Sequence, residues 1–318
     1  MSAVELLNRC SIPRIFRAWH HGRILVLMYH GVLPDDDQLA ENDWLQVRSS
    51  EFAEQMAFVR QHYQPVRLID VIENKLGASS KPMAIVTFDD GYANNFHHAL
   101  PILQQFDVPA TIFVATSHIG RRKLFWWDRM RLSLQAQGKA VPPEWPQTLK
   151  QLPPGQIDTA LDQLLEGLGI SPEFSLQASP DSYRAMTIEE LKMAQNSGLI
   201  DFGSHTHGHE IIERLSDNEL RHTLAEAQAH LKLWGIEAKL FAAPNGDYQD
   251  RQIPILMEQS LLACVATHEG LWLPGITPYR IPRMGIGRDT SIDKFALITA
   301  GVMHFIHRFK PMQSQHGY

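Results

Sequence analysis

Two adjacent aspartates and a cluster of three histidines are the side chains here whose types and spacing could do chemistry. Asp89 and Asp90 stand together in TFDDG, and His205, His207 and His209 fall within GSHTHGHE. Two free carboxylates so close repel each other, so one of them calls for a cation or a proton. Imidazoles at 205 and 209 share one face of a helical turn, whereas an extended segment would align 205, 207 and 209 by alternation. Two neutral imidazoles with one carboxylate leave coordination positions open for water and substrate, which is the pattern of a hydrolytic rather than a closed structural metal site.

The elements that must position these groups follow from the apolar pattern. Met83 to Val86 is a short, partly β-branched run bounded by Pro82 and Gly91, which predicts a buried strand and sets Asp89 and Asp90 at its carboxyl end. In α/β folds that end is where ligands bind. Ile24 to Tyr29 predicts a strand covered on both faces and brings His30 to the same rim. A helix from Ser50 to His62, a helix from Asn94 to Phe106 and a strand from Ala110 to Thr116 give parallel βαβ construction. Between about 120 and 186 the rhythm breaks into PPEWP, LPPG and Leu-rich helical pieces, the mark of a mostly helical insertion. The alternation resumes with a capped helix from Thr187 to Ser197, the strand LIDFGSH and a helix from Asp217 to Trp234. Strands at 239–243, 262–266 and 281–286 and a last helix near 292–306 complete it. About seven strand signals and no glycine-rich dinucleotide loop predict an α/β fold of the distorted (β/α)7-barrel type, with the insertion over its rim. The expected organisation is an N-terminal amphipathic segment, 1–23, and one catalytic domain, 24–318.

Composition narrows the partners. The 318 residues carry a net charge of -6 with scattered Lys and Arg, which gives no stripe for nucleic acid. Cys10 and Cys264 are too few for a disulfide framework and lack metal-ligand spacing, which suits a reducing compartment. No run of 18 apolar residues occurs and the N-terminus lacks a secretory pattern, so a cytoplasmic location is expected. Leu6, Leu7, Ile12, Ile15, Phe16 and Trp19 alternate with Arg9, Arg14, Arg17 and Arg23, which suits either a helix packed on the barrel or peripheral contact with anionic lipid at the inner face of a membrane. Pro13 interrupts the pattern and favours packing. No obligate protein partner is evident.

TFDDG at 87–91 and HTHGH at 205–209 resemble the first two motifs of the polysaccharide deacetylases, the NodB-homology or carbohydrate esterase family 4 enzymes. LMYHGV, SEFAEQM and LPILQQFDVPATIFV resemble the branch acting on exopolysaccharide or surface glycans, so the likeness extends over about 24–120 and 187–290. The resemblance implies that Asp90, His205 and His209 ligate a divalent metal, zinc first among the choices. It implies that Asp89 is the general base on a metal-activated water attacking an N-acetyl group of a sugar. In the family's third motif an Arg steadies the base, but FAAPNGDY at 241–248 offers Ala242 and Ala243 instead. The family's general acid is a His. His30 and His268 rank above His304, which sits in an apolar helical pattern, and Arg280 or Arg283 in YRIPRMGI is available to position acid or base. The backbone N–H near Tyr92 is placed for an oxyanion, Asn245 for the rim, and Trp127 either for a sugar face or as a packing anchor. The reading is thus a metal-dependent carbohydrate N-deacetylase. An O-acetyl esterase and a catalytically impaired glycan-binding homologue are the alternatives, the latter kept alive by the missing Arg.

Overall fold

A computed structural model describes residues 4, 6–7, 10–20, 22–41, 43–77, 79–121, 123–171 and 181–307. Its centre is a parallel sheet in the order β10-β1-β5-β6-β7-β8-β9, with β4 beside the start of β5. The strands are β1 (Leu25–Tyr29), β4 (Gln64–Pro65), β5 (Met83–Phe88), β6 (Ala110–Val114), β7 (Ile200–Ser204), β8 (Leu240–Ala242), β9 (Ala263–Val265) and β10 (Met284–Gly285). β1 and β6 are buried at every position, as continuous apolar runs covered on both faces must be. Ile281 pairs with Val265 while Met284 and Gly285 pair with Leu27 and Met28, so residues 281–285 join the two edges and curl the sheet into a distorted barrel. Because every pairing in this sheet is parallel, the chain ends of β1, β5 and β7 share one rim. That rim receives His30, the Asp89–Asp90 pair and the histidine cluster.

Helices predicted at the sequence level form with altered ends. Thr187 and Ser216 close capping boxes with Glu190 and Glu219, opening the helices Ile188–Asn196 and Asp217–Leu233. The helix expected to be capped at Ser50 spans Ser49–His62, with Arg48 at the cap position and no side-chain cap. The expected helix 94–106 divides into a π turn, Asn95–Ala99, and an α-helix, Leu100–Phe106. The expected helix 292–306 is two, Ile292–Thr299 and Val302–His307, separated at Gly301, whose φ of 78° a helix interior does not allow. A two-stranded parallel ladder, β2 (Gly31–Leu33) with β3 (Gln46–Arg48), was not foreseen. Three-residue strands are too short to carry a period.

Between β6 and β7 the helices Trp126–Gln135, Trp145–Lys150 and Pro154–Gly167 pack around their own core of Met130, Leu134, Leu149, Leu161, Leu165 and Ile170. At the other end of the chain the helix Ile12–Trp19 begins with Pro13 in its first turn and packs Ile12 and Phe16 against Leu297, Ala300 and Val302. Arg9, part of the basic pattern of this segment, lies outside the described residues. Among those described, no helix is long and apolar enough to cross a membrane.

Candidate active site

The turn after β5 is forced into an unusual backbone. Asp89 N–H donates to the Tyr29 carbonyl at 3.0 Å and Gly91 N–H to the Asp89 carbonyl at 2.9 Å, holding Asp90 at φ 72° and Gly91 at φ 79°. A Cβ on Gly91 would lie 2.7 Å from Val114 Cγ1, so glycine is required both by conformation and by space. A non-glycine residue in the left-handed region costs energy that its surroundings must supply, and such residues gather at functional sites. The turn separates the two carboxylates, aiming Asp89 toward β10 and Asp90 toward the end of β7.

Asp90 is 1 % exposed, and neither of its carboxylate oxygens has a hydrogen-bond partner. His209 Nε2 lies 3.3 Å and His205 Nε2 3.5 Å from Asp90 Oδ1, and the three ligand atoms all fall within 4.8 Å of one another. These separations exceed charge-assisted hydrogen bonds and suit three ligands turned toward one ion. His205 Nδ1 donates to the Ala242 carbonyl at 2.7 Å, which leaves Nε2 with the lone pair facing Asp90. An orphaned buried carboxylate beside an imidazole locked in the ligating tautomer fits a divalent cation. Burial alone would raise the Asp90 pKa, but His205 and His209 more than offset it and hold the carboxyl well below its ordinary range.

His207 does not join them. Thr206 at φ 64° and His209 at φ 60° kink the segment, so it is neither helical nor extended, and His207 faces away toward the helix Asp217–Leu233.

Asp89 is held by a guanidinium. Arg283, fully buried, donates from Nη1 to Asp89 Oδ1 and from Nη2 to Oδ2, each at 2.7 Å. Its Nε donates to the Ala266 carbonyl at 2.8 Å, and Nη1 also reaches Thr87 Oγ1 at 3.1 Å. Burial presses the Asp89 pKa upward, yet Arg283 foremost, with His205 and His30, brings it below its ordinary value. The support missing at Ala242 and Ala243 therefore comes from the segment that closes the barrel. Of the two arginines in YRIPRMGI, Arg280 turns outward to Asp250.

The other named residues divide clearly. His30 acts electrostatically on both Asp89 and Asp90, its Nδ1 is buried without a partner, and its ring meets Trp44 edge-on with centroids 6.4 Å apart. His268 follows β9 and is exposed. Desolvation, Arg280 and His304 lower its pKa, and its carbonyl accepts from Arg283 N–H at 3.1 Å. Tyr92 is sealed from solvent, with its hydroxyl donating to Asp128 Oδ2 at 2.6 Å, so its ring is unavailable and only its backbone can serve a ligand. Asn245 sits in the rim turn Pro244–Gly246 at φ 58°. Trp127 donates from Nε1 to Tyr92 Oη at 3.0 Å, stacks on Phe125 and leans on His209 with centroids 4.7 Å apart, while Trp126 packs into the core of the inserted helices.

Trp44 is the residue that sequence reasoning missed. Its ring is 46 % exposed and shares a hollow with Asp43, Leu45, Trp127, Asp128, Met130 and Arg131, so tryptophans flank the His30 and His209 sides of the site. ENDWLQV carries no periodic signal that could have placed it.

Sequence comparison agrees with this architecture. The pattern of the polysaccharide deacetylase family matches residues 77–261, more than half of the chain, and the protein belongs to that family. Within it, the poly-beta-1,6-N-acetyl-D-glucosamine N-deacetylase of Escherichia coli K12 is 35% identical over 95 residues, covering 29% of this chain and 14% of that protein. Among solved structures, the Streptococcus pyogenes deacetylase PplD superposes with a TM-score of 0.60 at 19% identity, covering 91% of this chain and 99% of that one. IcaB from Ammonifex degensii gives 0.59 at 20% identity, covering 88% and 97%. At these identities the structural likenesses speak to fold.

Proposed function

We propose that the protein is a metal-dependent N-deacetylase of an N-acetylated glycan. The observation that carries this reading is the unpartnered, buried Asp90 carboxylate facing His205 and His209, next to a second carboxylate locked by Arg283. Asp90, His205 and His209 would hold the cation. When bound, it supplies a Lewis acid that acidifies water and polarises an acyl carbonyl. Asp89, kept ionised by Arg283, takes the proton from the attacking water. His30, which follows β1 on the same rim and keeps its Nδ1 buried without a partner, is the acid that delivers a proton to the leaving amine. The backbone at Tyr92 faces the developing oxyanion, and the faces of Trp44 and Trp127 flank the sugar ring. Water and an acetamide go in; acetate and a free amine come out.

The E. coli relative's name supplies the first substrate to try, β-1,6-linked N-acetylglucosamine oligomers. Acetate should be released from them and not from O-acetylated xylan, and Asp89→Asn should abolish release while zinc content is retained. Release from the O-acetyl substrate alone, or an Asp89→Asn variant matching the parent, overturns the reading. The Arg283 contact with Asp89 supports catalysis over the glycan-binding alternative, for which the missing Arg at Ala242 and Ala243 was the ground.

Membrane contact is a second, separate proposal. Ile15 and Trp19 are 59% and 66% exposed on the first helix, beside Phe305 at 39%, which suits shallow insertion of this face at the inner, cytoplasmic leaflet. Flotation with anionic vesicles tests it, and equal flotation by Ile15→Ser/Trp19→Ser would refute it.

A further inference from the structure

The third histidine of the cluster belongs to another constellation. His207, Glu226 and His230 each present a ligand atom within 4.8 Å of the others, outside the site described above. Glu226 and His230 are four residues apart in the helix Asp217–Leu233 and so share one face, the face that meets the histidine loop. His207 Nε2 stands 3.5 Å from Glu226 Oε1, and the His207 and His230 rings lie nearly parallel, centroids 5.2 Å apart. His207 Nδ1 is 2.9 Å from Thr116 Oγ1, a partner that can accept the Nδ1 proton and free Nε2 to ligate. One helical turn earlier, His222 Nε2 lies 3.6 Å from the other Glu226 oxygen on a side chain 82% exposed. The loop is already fastened to this helix, since His207 N–H donates to Thr223 Oγ1 at 3.1 Å and Thr223 Oγ1 donates to Glu210 at 2.9 Å. The ligand geometry is therefore largely pre-formed.

We propose that His207, Glu226 and His230 form a second site for a divalent transition-metal ion of the zinc type, distinct from the one at Asp90. Two imidazoles and one carboxylate suit zinc, cobalt or nickel rather than magnesium or calcium, which take oxygen ligands. An ion here would clip residue 207, and with it the loop carrying His205 and His209, to the helix Asp217–Leu233. Its half-exposed setting makes it a site filled from solution.

The test counts metal in the full chain. Metal-free protein is titrated with Co2+, followed by its visible absorption, and Zn2+ per chain is measured after desalting. The parent should bind two ions. Glu226→Gln/His230→Ala, at surface positions of a long helix, should keep one, His205→Ala/His209→Ala should keep the other, and the fourfold variant should keep none. Circular dichroism checks that each is folded. Thr116→Val should weaken the second site by about 10- to 100-fold, as loss of a partner behind a ligating imidazole does. In the His205→Ala/His209→Ala background, Zn2+ should still raise the unfolding temperature. Two ions bound by Glu226→Gln/His230→Ala overturn the proposal, as does a single ion in the parent that His205→Ala/His209→Ala removes. A single ion that only Glu226→Gln/His230→Ala removes would uphold this site and overturn the metal reading at Asp90.

Discussion

Replacing Arg283 by methionine strips Asp89 of both its donors and leaves a carboxylate buried without a counter-charge. The two contacts are 2.7 Å each, and the side chains are 0% and 4% exposed, so bulk solvent compensates little for the loss of either partner. Breaking such a pair from one side costs about 3–5 kcal/mol, most of it the uncompensated charge. Asp89→Asn should cost a comparable amount from the other side, because Arg283 then loses its counter-charge and one of its two acceptors at residue 89, keeping the amide oxygen, the Ala266 carbonyl and Thr87. The double variant removes both charges and should be more stable than the sum of the single losses by about 2–3 kcal/mol, whereas independent sites add to within about 0.5 kcal/mol. Urea unfolding of metal-free protein, with the slope checked for constancy across the four species, measures this directly. Additive losses would refute the coupling, and with it the claim that Arg283 exists to hold Asp89. Arg283→Lys sharpens the test: it keeps the charge but cannot form the two-pronged contact, so it should recover only part of the loss.

Other outcomes follow from the same geometry. In the Glu226→Gln/His230→Ala background, Zn2+ at a hundredfold excess over its Kd should stabilise the protein by about 2.7 kcal/mol, a response that Asp90→Asn should abolish in a thermal-shift titration. Trp44→Ala should raise KM by about tenfold, close to 1.4 kcal/mol, with zinc content unchanged; acetate-release kinetics that instead lose only kcat would deny the ring a substrate role. Gly91→Ala should destabilise by about 1–3 kcal/mol and weaken zinc binding, read by denaturation and by metal titration, because a Cβ at φ 79° meets Val114. Burial raises the Glu190 carboxyl, but Arg184, the Thr187 N–H and His97 outweigh it and lower its pKa from 4.5 to about 2. A folded pKa below the unfolded one adds stability that is fully present above pH 4.5 and lost as pH falls toward 2, at most about 3 kcal/mol, so Glu190→Gln should flatten that part of the stability-against-pH curve.

The long strands and the capped helices were legible because each rests on local evidence. A run buried on both faces, such as β1, has no other fold class to go to, and Thr187 with Glu190 writes a helix start in four residues. What could not be read depends on where the chain returns. β2, β3 and β4 are two or three residues long, and their pairing is decided by partners distant in sequence. HTHGH admitted a helical and an extended reading, and the loop takes neither, since left-handed turns at Thr206 and His209 bring 205 and 209 together and send 207 outward. No spacing rule contains that conformation.

The arginine shows the same limit from the chemical side. A buried general base needs a fixed cation beside it, but the chemistry sets only the position of the guanidinium in space, not the strand that carries it. Here the sheet closes through Ile281 and Met284, which sends Arg283 inward and leaves Arg280 at the surface with Asp250. At Ala242, where the family pattern led one to expect the arginine, a backbone carbonyl instead fixes the tautomer of His205. Both parts of the site are thus supported, Asp89 by a side chain from the closing segment and His205 by a main-chain oxygen. A substitution at Ala242 that preserves the backbone should accordingly leave metal binding intact, whereas at Arg283 even lysine should replace the side chain only in part.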